Sequence, residues 1–139
     1  MISGVHEKMK KYLKIVSSFL LMVLVVSVFA GCNNTGASKD SLSLGKEALE
    51  IADSYLDSEI DGDDAVDQLE ELYNTLFEYA EDEGEDSGTY EQDTMIAAYT
   101  FSVQMYIWNC EYYGTDEYYD KLIEARNNLA ETIGEDTIE

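Results

Sequence analysis

Carboxylates and tyrosines are the reactive side chains that this chain of 139 residues carries in number, with 30 acidic residues and 11 tyrosines. Paired carboxylates carry out glycoside hydrolysis, so that reaction is compatible with the residue types present. With so many acidic residues in so short a chain, neighbouring carboxylates are expected by chance. Nothing in the sequence indicates that any pair is buried with a raised pKa, as a catalytic pair would be. A small carboxylate-based hydrolase therefore stays open as an alternative.

One acidic segment has the spacing of a calcium loop, with Gly62 at its sixth position. The alternating acidic residues are Asp57, Glu59, Asp61 and Asp63. A calcium loop also needs a bidentate glutamate at its twelfth position, where this chain has Gln68. The competing interpretation is a turn that ends one helix and caps the next. These acids are a candidate cation site, and no cofactor is predicted.

Six aromatic side chains lie close together in the sequence. They are Tyr106, Trp108, Tyr112, Tyr113, Tyr118 and Tyr119. Tyrosine and tryptophan combine apolar area with a polar tip and are enriched at interfaces. The alternative is that these rings fill the end of the core. Because Tyr112 and Tyr113 point to different sides of one helix, all six cannot be buried. The predicted binding residues are Tyr112, Tyr113, Tyr118 and Tyr119.

Cysteine and histidine are scarce, which restricts nucleophilic and metal chemistry. Cys110 lies in a long uncharged stretch and is predicted to be a small core side chain rather than a nucleophile. Cys32, the other cysteine, follows the longest apolar run, and His6, the single histidine, precedes that run. If the chain is cleaved before Cys32, His6 is absent from the mature protein.

The first 32 residues have the three parts of an export signal. The basic part comprises Lys8, Lys10, Lys11 and Lys14. The apolar run from Ile15 to Ala30 is shorter than the ~20 residues that span a bilayer as a helix. It ends in Phe29-Ala30-Gly31-Cys32, which resembles the lipobox of bacterial lipoproteins. The resemblance implies that residues 1–31 are a lipoprotein signal peptide, and that Cys32 is lipidated and holds the protein on the extracytoplasmic face of the cell membrane.

Removal of residues 1–31 from 139 leaves 108 residues, enough for one domain. His6 leaves with the signal, which excludes Ser-His-Asp catalysis and His-ligated zinc, and Cys110 has no intramolecular disulfide partner. Four of eight basic residues leave but only one of 30 acidic residues, so the net charge changes from −22 to −25. That charge repels nucleic acid and anionic lipid headgroups and attracts basic partners.

The rest of the chain predicts an all-α fold. A flexible tether over residues 32–40 precedes a helical domain over residues 41–139. Apolar residues at helical spacing predict helices at Ser41–Glu59, Asp63–Glu81, Tyr90–Tyr113 and Asp116–Ile133. The acid-rich segment 81–88 predicts a solvated loop. The last five residues are predicted to be frayed. With no proline and no strand pattern, the predicted fold is a four-helix antiparallel bundle made of two helical hairpins.

The third predicted helix has no charge between Asp93 and Glu111. It is too polar and too short to span a membrane. Because it is apolar on nearly all sides, it is predicted to be the most buried helix, with Trp108 inside the core. Thr89 and Gln92 have the spacing of a capping box at its start.

These observations predict a membrane-tethered extracytoplasmic lipoprotein that binds a protein or a cell-wall component of the envelope without catalysis. The alternative is a small carboxylate-based hydrolase or a cation-binding lipoprotein of the envelope. Nucleic acid is not an expected partner.

Overall fold

Four α-helices account for most of the chain that the structure describes. The computed structural model describes residues 35–139, so Cys32 and the predicted signal peptide lie outside the described residues. The helices are α1 (Lys39–Leu56), α2 (Gly62–Glu83), α3 (Tyr90–Tyr113) and α4 (Asp116–Ile133). No strand occurs between residues 35 and 139, and the predicted all-α fold is confirmed.

The helix α3 is central to the packing. It lies along α2 and along α4, its neighbours in sequence, and α1 contacts each of the other three helices. Short connections make successive helices antiparallel, so the predicted four-helix antiparallel bundle is confirmed. The two hairpins, α1 with α2 and α3 with α4, join chiefly through the α2–α3 contact. Within residues 35–139, none of the helices is long and apolar enough to cross a membrane.

The core is formed by branched aliphatic side chains from all four helices. Its largest fully buried aliphatic members are Ile51, Leu69, Leu76, Ile96, Val103, Ile107, Leu122, Leu129 and Ile133. Gly45 marks the closest approach of α1, because a Cβ there would lie 2.9 Å from Cγ2 atoms of both Ile96 and Ile133. A larger side chain at Gly45 would push α1 away from α3 and α4.

The ends of α1 and α2 differ from the sequence prediction by a few residues. The predicted tether overlaps α1 by two residues, since the helix begins at Lys39 with Ser38 as its N-cap. The buried carboxylate of Asp93 on α3 accepts a hydrogen bond of 2.8 Å from the Ser38 backbone N–H, which fixes the start of α1. At its other end α1 stops at Leu56, before the predicted Glu59.

The acidic loop between α2 and α3 is shorter than predicted. The helix α2 continues to Glu83 and ends at Gly84, whose φ of 77° suits glycine. The predicted capping box is wrong, because the Thr89 side chain caps no N–H of α3. Its hydroxyl instead donates to the Glu83 carboxylate across 2.7 Å and so bridges the ends of the loop.

The C-terminal residues are held against α4 rather than frayed as predicted. Arg126 is buried, donates to both carboxylate oxygens of Asp53 at 2.8 and 2.9 Å, and donates to the Asp136 carbonyl at 2.6 Å. Asn127 exchanges two hydrogen bonds with the backbone of Ile138. One arginine therefore connects α1, α4 and the chain end.

Glu47 on α1 gives the stability a predicted pH dependence. Burial raises its pKa above 4.5, and the negative charges of Glu50 and Glu71 raise it further. The folded state therefore binds this proton more readily than the unfolded state. Its stabilising contribution is present below pH 4.5 and is lost as the pH rises through the folded-state pKa. We expect Glu47→Gln to raise the Tm at pH 7 and to change it little at pH 4 in thermal unfolding followed by circular dichroism.

The matched control for Glu47 is Glu78→Gln, which removes one negative charge from an exposed position on α2. Equal changes in Tm for the two variants at both pH values would show that net charge, and not the burial of Glu47, is responsible.

Candidate functional site

Four aromatic rings form a continuous series of contacts across the turn between α3 and α4. Trp108 stacks on Tyr112 with ring centroids 5.2 Å apart and planes inclined by 7°. Tyr112 meets Tyr113 edge to face at 4.9 Å, and Tyr113 stacks on Tyr118 of α4 at 5.3 Å. Trp108, Tyr112, Tyr113 and Tyr118 are called the aromatic ladder below. Gly114, in the left-handed conformation that ends α3, allows the turn that brings Tyr118 to Tyr113.

The aromatic ladder lies on the surface of the bundle. The exposed fraction is 50% for Trp108, 70% for Tyr112 and 54% for Tyr113, while Tyr118 is half-buried. The prediction that Trp108 lies in the core is therefore wrong. Tyr119, also predicted to bind, is exposed but makes no ring contact with another aromatic residue of residues 35–139. Three of the four predicted tyrosines thus belong to the ladder.

Further apolar side chains extend this surface along α3. Phe101 and Met105 are 45% and 40% exposed and continue the side of α3 that carries Trp108 and Tyr112. Phe77 of α2 is 43% exposed, and Tyr73 lies between it and Phe101, with ring centroids 6.1 and 5.1 Å away. Phe77, Phe101, Met105, Trp108 and Tyr112 are called the open face below.

Most of the open face was not predicted from the sequence, although its spacing is present there. Phe101, Met105, Trp108 and Tyr112 follow one another at intervals of four, three and four residues, as the contact side of a packed helix does. The core side of α3 has the same kind of spacing, in Ile96, Val103, Ile107 and Cys110. A helix with two apolar sides can bury both only if neighbours surround it.

Among residues 35–139, one cation, the Lys121 ammonium, lies beside the aromatic ladder. The Lys121 ammonium lies 5.5 Å from the centroid of the Tyr118 ring and 2.8 Å from the Glu117 carboxylate. The hydrogen bond and charge of Lys121 lower the pKa of Glu117, and Glu117 raises the pKa of Lys121 for the same reasons. Both groups are therefore charged at neutral pH. Asp116 and Asp120, in the first turns of α4 near Glu117, are exposed as well.

The candidate cation site is not assembled. Among residues 35–139, no three acidic, cysteine or histidine side chains are grouped so as to hold a metal ion. Asp61 instead caps α2, accepting a hydrogen bond of 2.9 Å from the Asp64 N–H, and Asp57 is the C-cap of α1. Asp57, Glu59, Asp61 and Asp63 are all exposed, so this segment matches the competing interpretation of a turn followed by a cap.

Cys110 has the environment of a core side chain. It is buried, and burial together with the neighbouring Glu111 raises the pKa of its thiol. A raised pKa keeps the sulfur protonated and weakly nucleophilic. Glu111 itself accepts a hydrogen bond of 2.7 Å from the Tyr55 hydroxyl, so this carboxylate links α3 to α1.

The fold and the surface together define a small, strongly acidic helical bundle with an exposed aromatic and apolar side. The chain has no significant match to a protein-family model, a curated protein or a solved structure.

Proposed function

We propose that this protein is a lipid-anchored binding module on the extracytoplasmic face of a bacterial membrane, where it binds a protein or a cell-wall component of the envelope. The attachment rests on the lipobox-like Phe29-Ala30-Gly31-Cys32, and the binding rests on the exposed aromatic ladder. Two acyl chains on Cys32 would hold the protein at the membrane more firmly than one chain does.

The observation that carries the binding proposal is the exposure of Trp108, Tyr112 and Tyr113 together. Contiguous exposed apolar patches are uncommon on surfaces that contact only water, and they mark interaction sites. Tyrosine and tryptophan supply a large contact area there at a small cost in conformational entropy. The stacked contacts also hold the rings in place before a partner arrives, which lowers the conformational entropy lost on binding.

The attachment is tested by Cys32→Ser. We expect this variant of the full chain to lose labelling by an alkyne fatty-acid analogue and to accumulate as uncleaved precursor, because the signal peptidase for lipoproteins acts at a lipidated cysteine. The control is Cys110→Ser, which should be labelled and processed like the parent. Normal labelling and processing of Cys32→Ser would contradict the proposed anchor.

The binding site is tested by Tyr112→Ala and Tyr113→Ala in the full chain. After cross-linking in intact cells, we expect each variant to capture about tenfold less of the envelope partner, since clustered interface aromatics each contribute ~1–2 kcal/mol or more. Both rings are exposed, so the Tm should stay within a few degrees of the parent's.

The control for the ladder is Tyr119→Ala, an exposed tyrosine of the same turn outside the ladder. Undiminished capture by the two ladder variants, or equal loss in the control, would remove the aromatic ladder from the binding site.

A further inference from the structure

The open face has the residue spacing of a surface on which another helix lies. Phe101, Met105, Trp108 and Tyr112 are spaced by four, three and four residues, so their side chains form one row along about three turns of α3. Between residues 35 and 139, no helix covers this row, because α1, α2 and α4 pack on the other sides of α3.

The neighbouring helix α2 widens the row, and the strip of apolar surface between α2 and α3 is called the groove below. Phe77 lies on the neighbouring helix α2, and the half-buried Tyr73 contacts both Phe77 and Phe101. A third helix, ~10 Å in diameter with its side chains, can lie in the depression between two neighbouring helices. Occupation of this groove by a helix would complete the packing around α3.

The margins of the groove are acidic. The helix α2 carries nine acidic residues and no basic residue, and its exposed Glu70 and Glu81 lie within one turn of Tyr73 and Phe77. On α4, Glu117 and Glu124 are exposed one turn before and after Lys121, whose charge is already paired with Glu117.

The net charge of residues 35–139 is negative, like that of the groove margins. Residues 35–139 contain 29 acidic and four basic residues, and Lys46, Lys121 and Arg126 each pair with a carboxylate. A second copy of this chain would bring the same acidic margins against each other, which the charge opposes. The groove is therefore complementary to a positively charged surface.

We propose that the open face binds a basic amphipathic helix of a partner protein. Its apolar side would cover Phe101, Met105 and Trp108, and its flanking lysines or arginines would face the acidic residues of α2 and α4. Lys121 over Tyr118 shows that a ladder ring accepts a cation, so the exposed faces of Tyr112 and Tyr113 can receive basic side chains of the partner in the same way.

This inference rests on the proposed function, and Trp108 makes it measurable. It is the single tryptophan of the chain, so its fluorescence reports the open face without a label. The full chain is reconstituted in phosphatidylcholine nanodiscs and titrated with a designed helical peptide of about 20 residues that has leucines at heptad spacing and lysines beside them. One control peptide replaces each lysine by glutamate, and another scrambles the leucine positions.

We expect the basic amphipathic peptide to shift Trp108 emission to shorter wavelength, and we expect both control peptides to leave it unchanged. Met105→Lys should weaken binding at least about tenfold, because it places a like charge in the apolar row. Ser43→Lys, which adds the same charge at an exposed position of α1 outside the open face, is the matched control and should bind as the parent does. Binding should weaken as salt is added, because the flanking charges are screened.

Three results would overturn the inference. Equal binding of the acidic and basic peptides, or no binding of either, would exclude a basic helix as the occupant. Emission already at short wavelength in nanodiscs that hold one copy would place the open face on lipid. Emission that shifts only when a disc holds two copies would assign the face to self-association. In each of these cases, the proposed function would still be supported if Tyr112→Ala and Tyr113→Ala reduce capture of the envelope partner.

Discussion

Ile107→Ala is expected to lower the free energy of unfolding by about 2–5 kcal/mol, whereas Trp108→Ala, at the next position, is expected to lower it by only about 1 kcal/mol. Ile107 is fully buried between the helices, so truncation leaves a cavity in the centre of the bundle. Trp108 is half exposed and loses chiefly its stacking contact with Tyr112. Urea unfolding followed by circular dichroism measures both values without relying on tryptophan fluorescence.

The contrast between these two neighbours tests the orientation of α3 directly. A domain of this size has a total free energy of unfolding of roughly 5–15 kcal/mol. The fall expected for Ile107→Ala is a large share of that value, so the urea midpoint should fall clearly. If Trp108→Ala proved as destabilising as Ile107→Ala, the side of α3 assigned to the open face would be buried, and both binding proposals would lose their basis.

Arg126→Ala is expected to lower the free energy of unfolding by about 2–4 kcal/mol. The guanidinium is buried and makes a two-pronged ion pair with Asp53 and a hydrogen bond to the Asp136 carbonyl. Loss of one member of a buried ion pair typically costs ~3–5 kcal/mol. The expected value is smaller because the Asp53 side chain is 39% exposed and water can solvate it.

Two further variants separate the contributions of Arg126. Arg126→Lys keeps the charge but cannot form the two parallel hydrogen bonds, so an intermediate loss is expected. Asn127→Ala releases only the bonds to Ile138 and should change stability by less than about 1.5 kcal/mol. An Arg126→Ala variant with the parent's urea midpoint would show that the C-terminal connection contributes nothing to stability.

Helix positions were largely predictable from local chemistry. The bounds of α3 and α4 agree with the prediction because Gly114 and Gly134 end them and because the apolar spacing is unbroken. The ends of α1 and α2 were less predictable, since they depend on distant partners. Asp93 holds Ser38 at the start of α1 from 55 residues away, and Thr89 contacts Glu83 across the acidic loop.

The candidate site was only partly predictable. Clustering in the sequence identified Tyr112, Tyr113 and Tyr118, because a short turn must bring adjacent helix ends together. Phe77 and Phe101 were not identified, since they belong to different helices and meet only through Tyr73 when α2 packs on α3. The spacing of the open face was readable, but nothing local distinguishes an exposed apolar row from a buried one.

By itself, the sequence determined the all-α class, the four helices, the acidic charge and the exclusion of histidine chemistry from the chain after Cys32. These follow from residue types and short-range spacing, which act within a few turns of the chain. Only the tertiary structure decided which side of α3 is exposed. Because α3 is apolar on nearly all sides, its own residues favour no orientation, and the direction is set by where α1, α2 and α4 pack. That packing turned Ile107 inward and left Trp108 on the surface.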